Sequence, residues 1–209
     1  MNQHSFGFSQ QARPQTAYLC WTRMQTEAGQ ELAAIVQRKE LERRAGDGIF
    51  FWGVGNAPSK MIRTLARAGI PVPLIFSVMK SAPKKADITP TGTVVWNGYI
   101  DHNGVERDIP DHVLVTSRSE TSSGPKSVHY ALVCRSERPL HIDHELPFDH
   151  RQYRNAGTGG AIGASQVTAL LEMAEPSPVP SPQYRQNLIA ELAGSYWVKL
   201  TRPHPIEAG

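Results

Sequence analysis

The sequence predicts an α+β fold: a mixed, partly barrel-like twisted sheet of six or seven strands, with inserted helices and a helical C-terminal segment. Three observations carry this expectation. Short apolar or alternating runs bounded by polar turns recur along the chain. Two stretches of helical periodicity follow the first two of those runs. With 209 residues, 40% of them hydrophobic and 20% charged, the chain is long enough to bury one sizeable core.

The elements follow in order. AYLCWTRMQ (17–25) is rich in aromatic and apolar types and reads as the first strand. Residues 28–45 contain no proline; Leu32, Ile35 and Val36 share a face that Lys39 and Arg43 continue as cations, so a helix with a basic far end is expected. Glycines at 46 and 48 stop it, and GIFFWGVGN is a nearly continuous apolar run of the central-strand kind. A short helix is expected over 59–68, then strands at VPLIFSVMK (72–80) and TVVWNGYID (93–101), with HNG (102–104) as a turn. DHVLVTSR (111–118) and SVHYALVCRS (127–136) alternate and suit an antiparallel pair, and 137–154 reads as irregular. A helix is expected from Ser165 to Ala174, PSPVPSPQ as a stiff linker, a last helix from Tyr184 to Ala193, and SYWVKL as a closing strand. Residues 1–16 would be a flexible N-terminal segment, 17–209 one α+β domain, and 155–200 its C-terminal helical appendage.

The balance of 22 basic to 19 acidic residues gives a net charge of +3, which permits a polyanionic partner without requiring one. MNQHSFGFSQQARPQ lacks the apolar core of a signal peptide and no segment approaches a membrane span, so a cytoplasmic protein without membrane association is expected. Cys20 and Cys134 lie in apolar runs and read as buried thiols. His141, Asp143, His144, Asp149 and His150 match no standard ligand spacing and read as a polar loop. No metal or other cofactor is expected, nor an obligate protein partner.

Two groups of residues invite a chemical reading. Trp21 and Arg23 on one strand, Phe51 and Trp52 on a second, and Trp96 on a third offer stacking faces beside polar groups, as a pocket for an extruded base requires. The alternative is that the aromatics are core. Asn56 after the second strand and Asp87 in KKAD are the candidate catalytic groups. The second group is cationic. Lys80, Lys84 and Lys85 surround one loop, Lys60, Arg63 and Arg67 recur on the short helix, and Arg118 and Lys126 flank another loop. Phosphate contacts by such residues supply most sequence-independent DNA affinity, although each run alone also suits a solvated face.

NAGTGGAIGASQVTALL (155–171) raises both readings at once. Its glycines let the chain turn tightly before a helix capped by Ser165. Alternatively, backbone N–H groups from Gly163 to Gln166 meet a phosphate at the helix start, with Ser165 and Thr168 as contacts and Gln166 reaching a base edge.

Taken together, CWTRMQ, RKELERRAG, FFWGVGN, FSVMKSAPKKAD, HVLVTSR, HYALVCRS and YRNAG with GASQVTALL resemble a family of small bacterial proteins, across most of residues 17–200. The chain is similar to phage-defence DNA glycosylases that remove glucosylated hydroxymethylcytosine. A looser, architectural similarity links it to PUA-like domains of the EVE and YTH kind, in which an aromatic cage holds a modified base. The first resemblance implies a DNA-binding enzyme that extrudes a modified base from phage DNA and hydrolyses its N-glycosidic bond. The second implies a non-catalytic reader of such bases in DNA or RNA, with Trp21, Trp52 and Trp96 as the cage.

Overall fold

The structure, a computed structural model, describes residues 18–24, 32–54, 60–70, 72–79, 93–118, 129–140, 146–148, 152–162, 166, 168–173 and 184–206. Among these, two helices accompany a mixed sheet. The elements are β1 (Tyr18–Arg23), α1 (Leu32–Ala45), β2 (Ile49–Val54), α2 (Lys60–Arg67), β3 (Val72–Met79), β4 (Thr93–Ile100), β5 (Glu106–Asp108), β6 (Thr116–Arg118), β7 (Tyr130–Arg135), β8 (Leu146–Phe148), β9 (Tyr153–Asn155), β10 (Thr168–Met173) and β11 (Tyr184–Ile206). The main path runs β2-β7-β11-β3-β1-β10-β9, with β4 paired to β11 and carrying β5 and β6. The β1–β3 pair is parallel, with Trp21 opposite Ile75, and the other ladders are antiparallel.

The fold turns on β11, 23 residues long. Up to Leu192 it pairs with β3; its register with β7 slips between Leu192 and Trp197, and from Lys199 onward it pairs with β4. The slip coincides with two left-handed residues, Gly194 (φ +52°) and Tyr196 (φ +60°). Glycine reaches that region without strain; tyrosine does not, and such a conformation persists only where surrounding contacts hold it. Here the Tyr196 hydroxyl donates to the Ile70 carbonyl just beyond α2. The bend in β11 is thereby tied to the end of α2.

Strand alternation divides the core. On β2, Phe50, Trp52 and Val54 face one cluster with Phe76, Leu132, Cys20 and Cys134, which the apolar faces of α1 and α2 join. Phe51 faces another, with Trp96, Val115, Val133 and Val198. Trp21 belongs to a third, with Ile162, Ala169 and Leu171. Both cysteines are buried free thiols, as expected, and burial raises each thiol pKa above its ordinary value.

Several expectations need correction. The helix expected from Ser165 to Ala174 is absent from 168–173, which form β10 between β1 and β9. Leu170 faces the first cluster while Ala169 and Leu171 face the third, so burial on both sides and two ladders override the helix propensity of Ala, Leu, Glu and Met. The helix expected from Tyr184 to Ala193 is the first half of β11: Glu191 pairs with Pro73 on one side and Arg135 on the other. The C-terminal region is therefore no helical appendage; β11 lies inside the sheet. The expected 111–118 and 127–136 hairpin does not form either. β7 is buried from Ala131 to Cys134 and takes β2 and β11 as partners, whereas β6 pairs with β4. Among the described residues the sheet holds eleven strands, more than the six or seven expected, because β5, β8 and β9 are three residues each and too short for periodicity to reveal, and β10 was expected as a helix.

Candidate functional site

The three tryptophans expected to form one cage are dispersed. Trp21, Trp52 and Trp96 are 0%, 8% and 2% exposed and belong to three different clusters. Phe51 does share a cluster with Trp96, and the Arg23 guanidinium carbon lies 5.9 Å from the Trp21 ring centroid, but none of these aromatics presents an exposed face. The physical reason is the period-two alternation that sends Phe51 and Trp52, as neighbours on one strand, to opposite sides of the sheet. The core reading of the aromatics is the correct one, and no shared base pocket is built from them.

Of the expected backbone contacts, Thr168 is 7% exposed and its hydroxyl is 3.0 Å from that of Thr22, so it is spent inside the sheet. Gln166 is half-buried and its amide donates to the Thr168 carbonyl at 3.4 Å. Arg118 ends β6 opposite Thr93. Asn56, Lys80, Lys84, Lys85, Asp87, Lys126, Gly163 and Ser165 lie outside the described residues, as do residues 1–16 and the histidines at 141, 144 and 150.

In the glycine loop, the backbone N–H groups of Gly157 and Thr158 reach the Asn155 side-chain oxygen, and those of Thr158 and Gly159 reach its carbonyl. The Gly160 N–H contacts the Thr158 hydroxyl, and its carbonyl accepts from the Asn155 N–H. Gly159 takes φ +70°, which its lack of a Cβ allows. Residues 155–160 thus form a turn organised by Asn155, with these amides already committed.

A different arrangement brings cations together. α2 places Lys60, Arg63, Thr64 and Arg67 on one exposed face, at the i, i+3, i+4, i+7 spacing of a helical stripe, while Ile62, Leu65 and Ala66 are buried opposite. That stripe forms one wall of an open groove of about 560 Å³. The facing wall is the end of β4 at Ile100 with the β4–β5 turn from Asp101 to Gly104, and Tyr130, Trp197 and the exposed Lys199 complete the lining among the described residues. Because β11 bends at Tyr196 and is tied to Ile70, Trp197 and Lys199 come to lie beside α2.

Among the described residues the groove is lined by one carboxylate, Asp101, and it is already engaged. Asp101 is 9% exposed; one oxygen accepts the N–H groups of Asn103 (2.9 Å) and Val105 (3.0 Å), and the other accepts the Arg107 guanidinium at 3.1 Å. Burial would raise this carboxyl, but those hydrogen bonds outweigh it and hold its pKa below the ordinary value. The HNG turn expected from sequence is the loop that Asp101 organises, with Gly104 at φ +84°. Arg67 donates to the His102 carbonyl at 3.2 Å, linking the two walls. Among the described residues, Lys60, Arg63, Arg67 and Lys199 have no acidic partner, so the described lining carries an excess of positive charge.

The cations at 60, 63 and 67 were visible in sequence as a run on a short helix. Their meeting with Lys199 was not, because only the bend in β11 brings that residue to α2. The basic end expected for α1 is by contrast neutralised: Lys39 pairs with Glu42, and Arg43 and Arg44 both pair with Glu40. Among the described residues no cluster of three His, Cys, Asp or Glu side chains could hold a metal ion, and no helix is long and apolar enough to cross a membrane. Comparison with protein-family models, curated proteins and solved structures gave no match to this chain.

Proposed function

We propose that this protein binds DNA through the groove between α2 and the β4–β5 turn, and that it acts on modified bases as a glycosylase. The observation carrying the DNA reading is the convergence of Lys60, Arg63, Arg67 and Lys199 on one open groove, where Asp101, the one carboxylate among the described lining residues, is internally paired. Unpaired cations gathered on one surface are the physical requirement for displacing counterions from a phosphate backbone. The glycosylase reading rests on the sequence resemblance, with Asn56 and Asp87 as the candidates for steadying an oxocarbenium-like state and placing water. The partly barrel-like, PUA-like architecture belongs to the same proposal. In its support, a Cβ on Gly53 of β2 would lie 3.5 Å from the Thr116 carbonyl oxygen, so β2 runs close to the strand paired with β4.

A non-catalytic reader of modified bases is the second reading, and Asp101 favours it. With both carboxylate oxygens taken by hydrogen-bond donors, Asp101 is poorly placed to transfer a proton or to activate water. One experiment separates the readings: incubation with unmodified, methylated, hydroxymethylated and glucosylated duplexes, measuring binding and alkali-labile abasic sites. The glycosylase yields abasic sites from the glucosylated duplex. A reader binds one modified duplex preferentially and leaves every strand intact. Absence of binding to all four duplexes would sink both.

A further inference from the structure

Resting on the DNA-binding reading, we infer that the α2 groove is a phosphate cradle that grips the phosphodiester backbone by charge alone, and that it does not receive the extruded base. Three features of the groove lead to this division of labour.

The first is the geometry of the stripe. Lys60, Arg63 and Arg67 are spaced along the eight residues of α2, a rise of about 10 Å at about 1.5 Å per step. Phosphates of one B-form strand advance about 3.4 Å each along the duplex axis, so long cationic side chains along such a length meet adjacent phosphates of one strand. Lys199 adds a fourth cation from the neighbouring strand.

The second is the lack of an open stacking surface on its largest aromatic. Trp197 is 6% exposed, and with its ring in the core cluster beside the buried face of α2 it cannot offer a face to a base. Single-strand platforms and base pockets both depend on such faces. The third is the commitment of Asp101: a carboxylate reads cytosine by accepting its exocyclic amino group, and here the group is 9% exposed with three donors of its own turn and strand already on its oxygens.

The test is the salt dependence of binding, measured on a duplex, on its single strand, and on a second duplex of scrambled sequence. Four phosphate contacts give a duplex slope of about −3.6, so the parent should lose at least about 150-fold in affinity between 50 and 200 mM salt. The triple variant Lys60→Gln, Arg63→Gln, Arg67→Gln should make that slope shallower by about 2.7 units, and Lys199→Gln alone by about 0.9. Both effects should be equal on the two duplex sequences, and proportionally smaller on the single strand if that also binds. All four side chains are exposed, so the variants should retain the parent Tm, which is checked first. A parent that binds DNA while the triple variant keeps its slope would place the contact elsewhere and overturn this inference alone. Losses confined to one duplex sequence would overturn it too, by revealing base readout. A parent that binds none of the probes would remove the DNA reading beneath it.

Discussion

Glu42 is 2% exposed, yet it is a charged side chain that touches three elements. It receives the Lys39 ammonium at 2.8 Å, the Leu114 N–H at 3.1 Å and, more distantly, the Phe51 N–H of β2 at 3.5 Å. Lys39 in turn donates to the Leu114 carbonyl at 2.9 Å. The pair joins β2 to the 113–115 segment in the interior: it satisfies the Leu114 N–H and carbonyl and reaches the Phe51 N–H, backbone groups that burial would otherwise leave without a partner. Burial pushes the Lys39 pKa down and Glu42 opposes that push. Removing one partner strands a buried charge, so Glu42→Ala should destabilise by about 3–5 kcal/mol. Lys39→Met with Glu42→Leu should cost less than the sum of the single changes, because neither charge is left alone. Urea unfolding of the four proteins measures the coupling; strict additivity would mean that the pair does not act as a unit.

At the scale of elements, α2 and the bend of β11 are a single device. Ile62 is 1% exposed, and Ile62→Ala should cost about 2–5 kcal/mol and loosen the groove wall, whereas Arg63→Gln should leave Tm unchanged. Gly194→Ala meets no atom within 4 Å but must hold φ +52°, so a loss of about 1 kcal/mol is expected from the backbone alone. Gly160→Ala, at a glycine without positive φ, is the control and should be nearly silent. If the two changes cost the same in thermal unfolding, the bend is not what Gly194 serves. These elements also mark what sequence could reveal. β1 to β4 and both helices were legible because each carries its own signal, a periodic apolar face or an uninterrupted apolar run. β10 and the first half of β11 were not, although SYWVKL in its second half was read as a closing strand: their residues suit a helix, and only ladders to partners distant in the chain make them strands. The candidate site divides the same way. The cationic stripe is local and was readable, while the cage required three strands to aim at one point, which the alternation along β2 rules out for Trp52 and Phe51 together.

At the scale of the whole molecule, one carboxylate couples segments a hundred residues apart. Glu40 on α1 is held by Arg43 (2.7 Å) and Arg44 (2.8 Å), and it accepts the Leu140 N–H beyond β7 at 2.7 Å. The Arg43 hydrogen bond is the largest cause of a pKa lowered to about 2; burial opposes it, and the Leu140 N–H and Arg44 add to it. A carboxylate depressed in the folded state contributes stability that is complete above its ordinary value of 4.5 and is lost as pH falls from there through about 2. Across that window the loss from Glu40 alone is on the order of 3 kcal/mol, a large fraction of the stability of a typical domain. Glu40→Gln cannot titrate: it should be less stable than the parent at neutral pH, and its stability should fall less steeply between pH 4.5 and 2.5. Other carboxylates titrate in the same range, so the difference between the two proteins is the informative quantity, read from urea midpoints at matched pH. Parallel curves would show that Glu40 is not the acid-sensitive link. Convergence of the two curves toward low pH is the expected result, because protonation removes from the parent the charge that the variant never had.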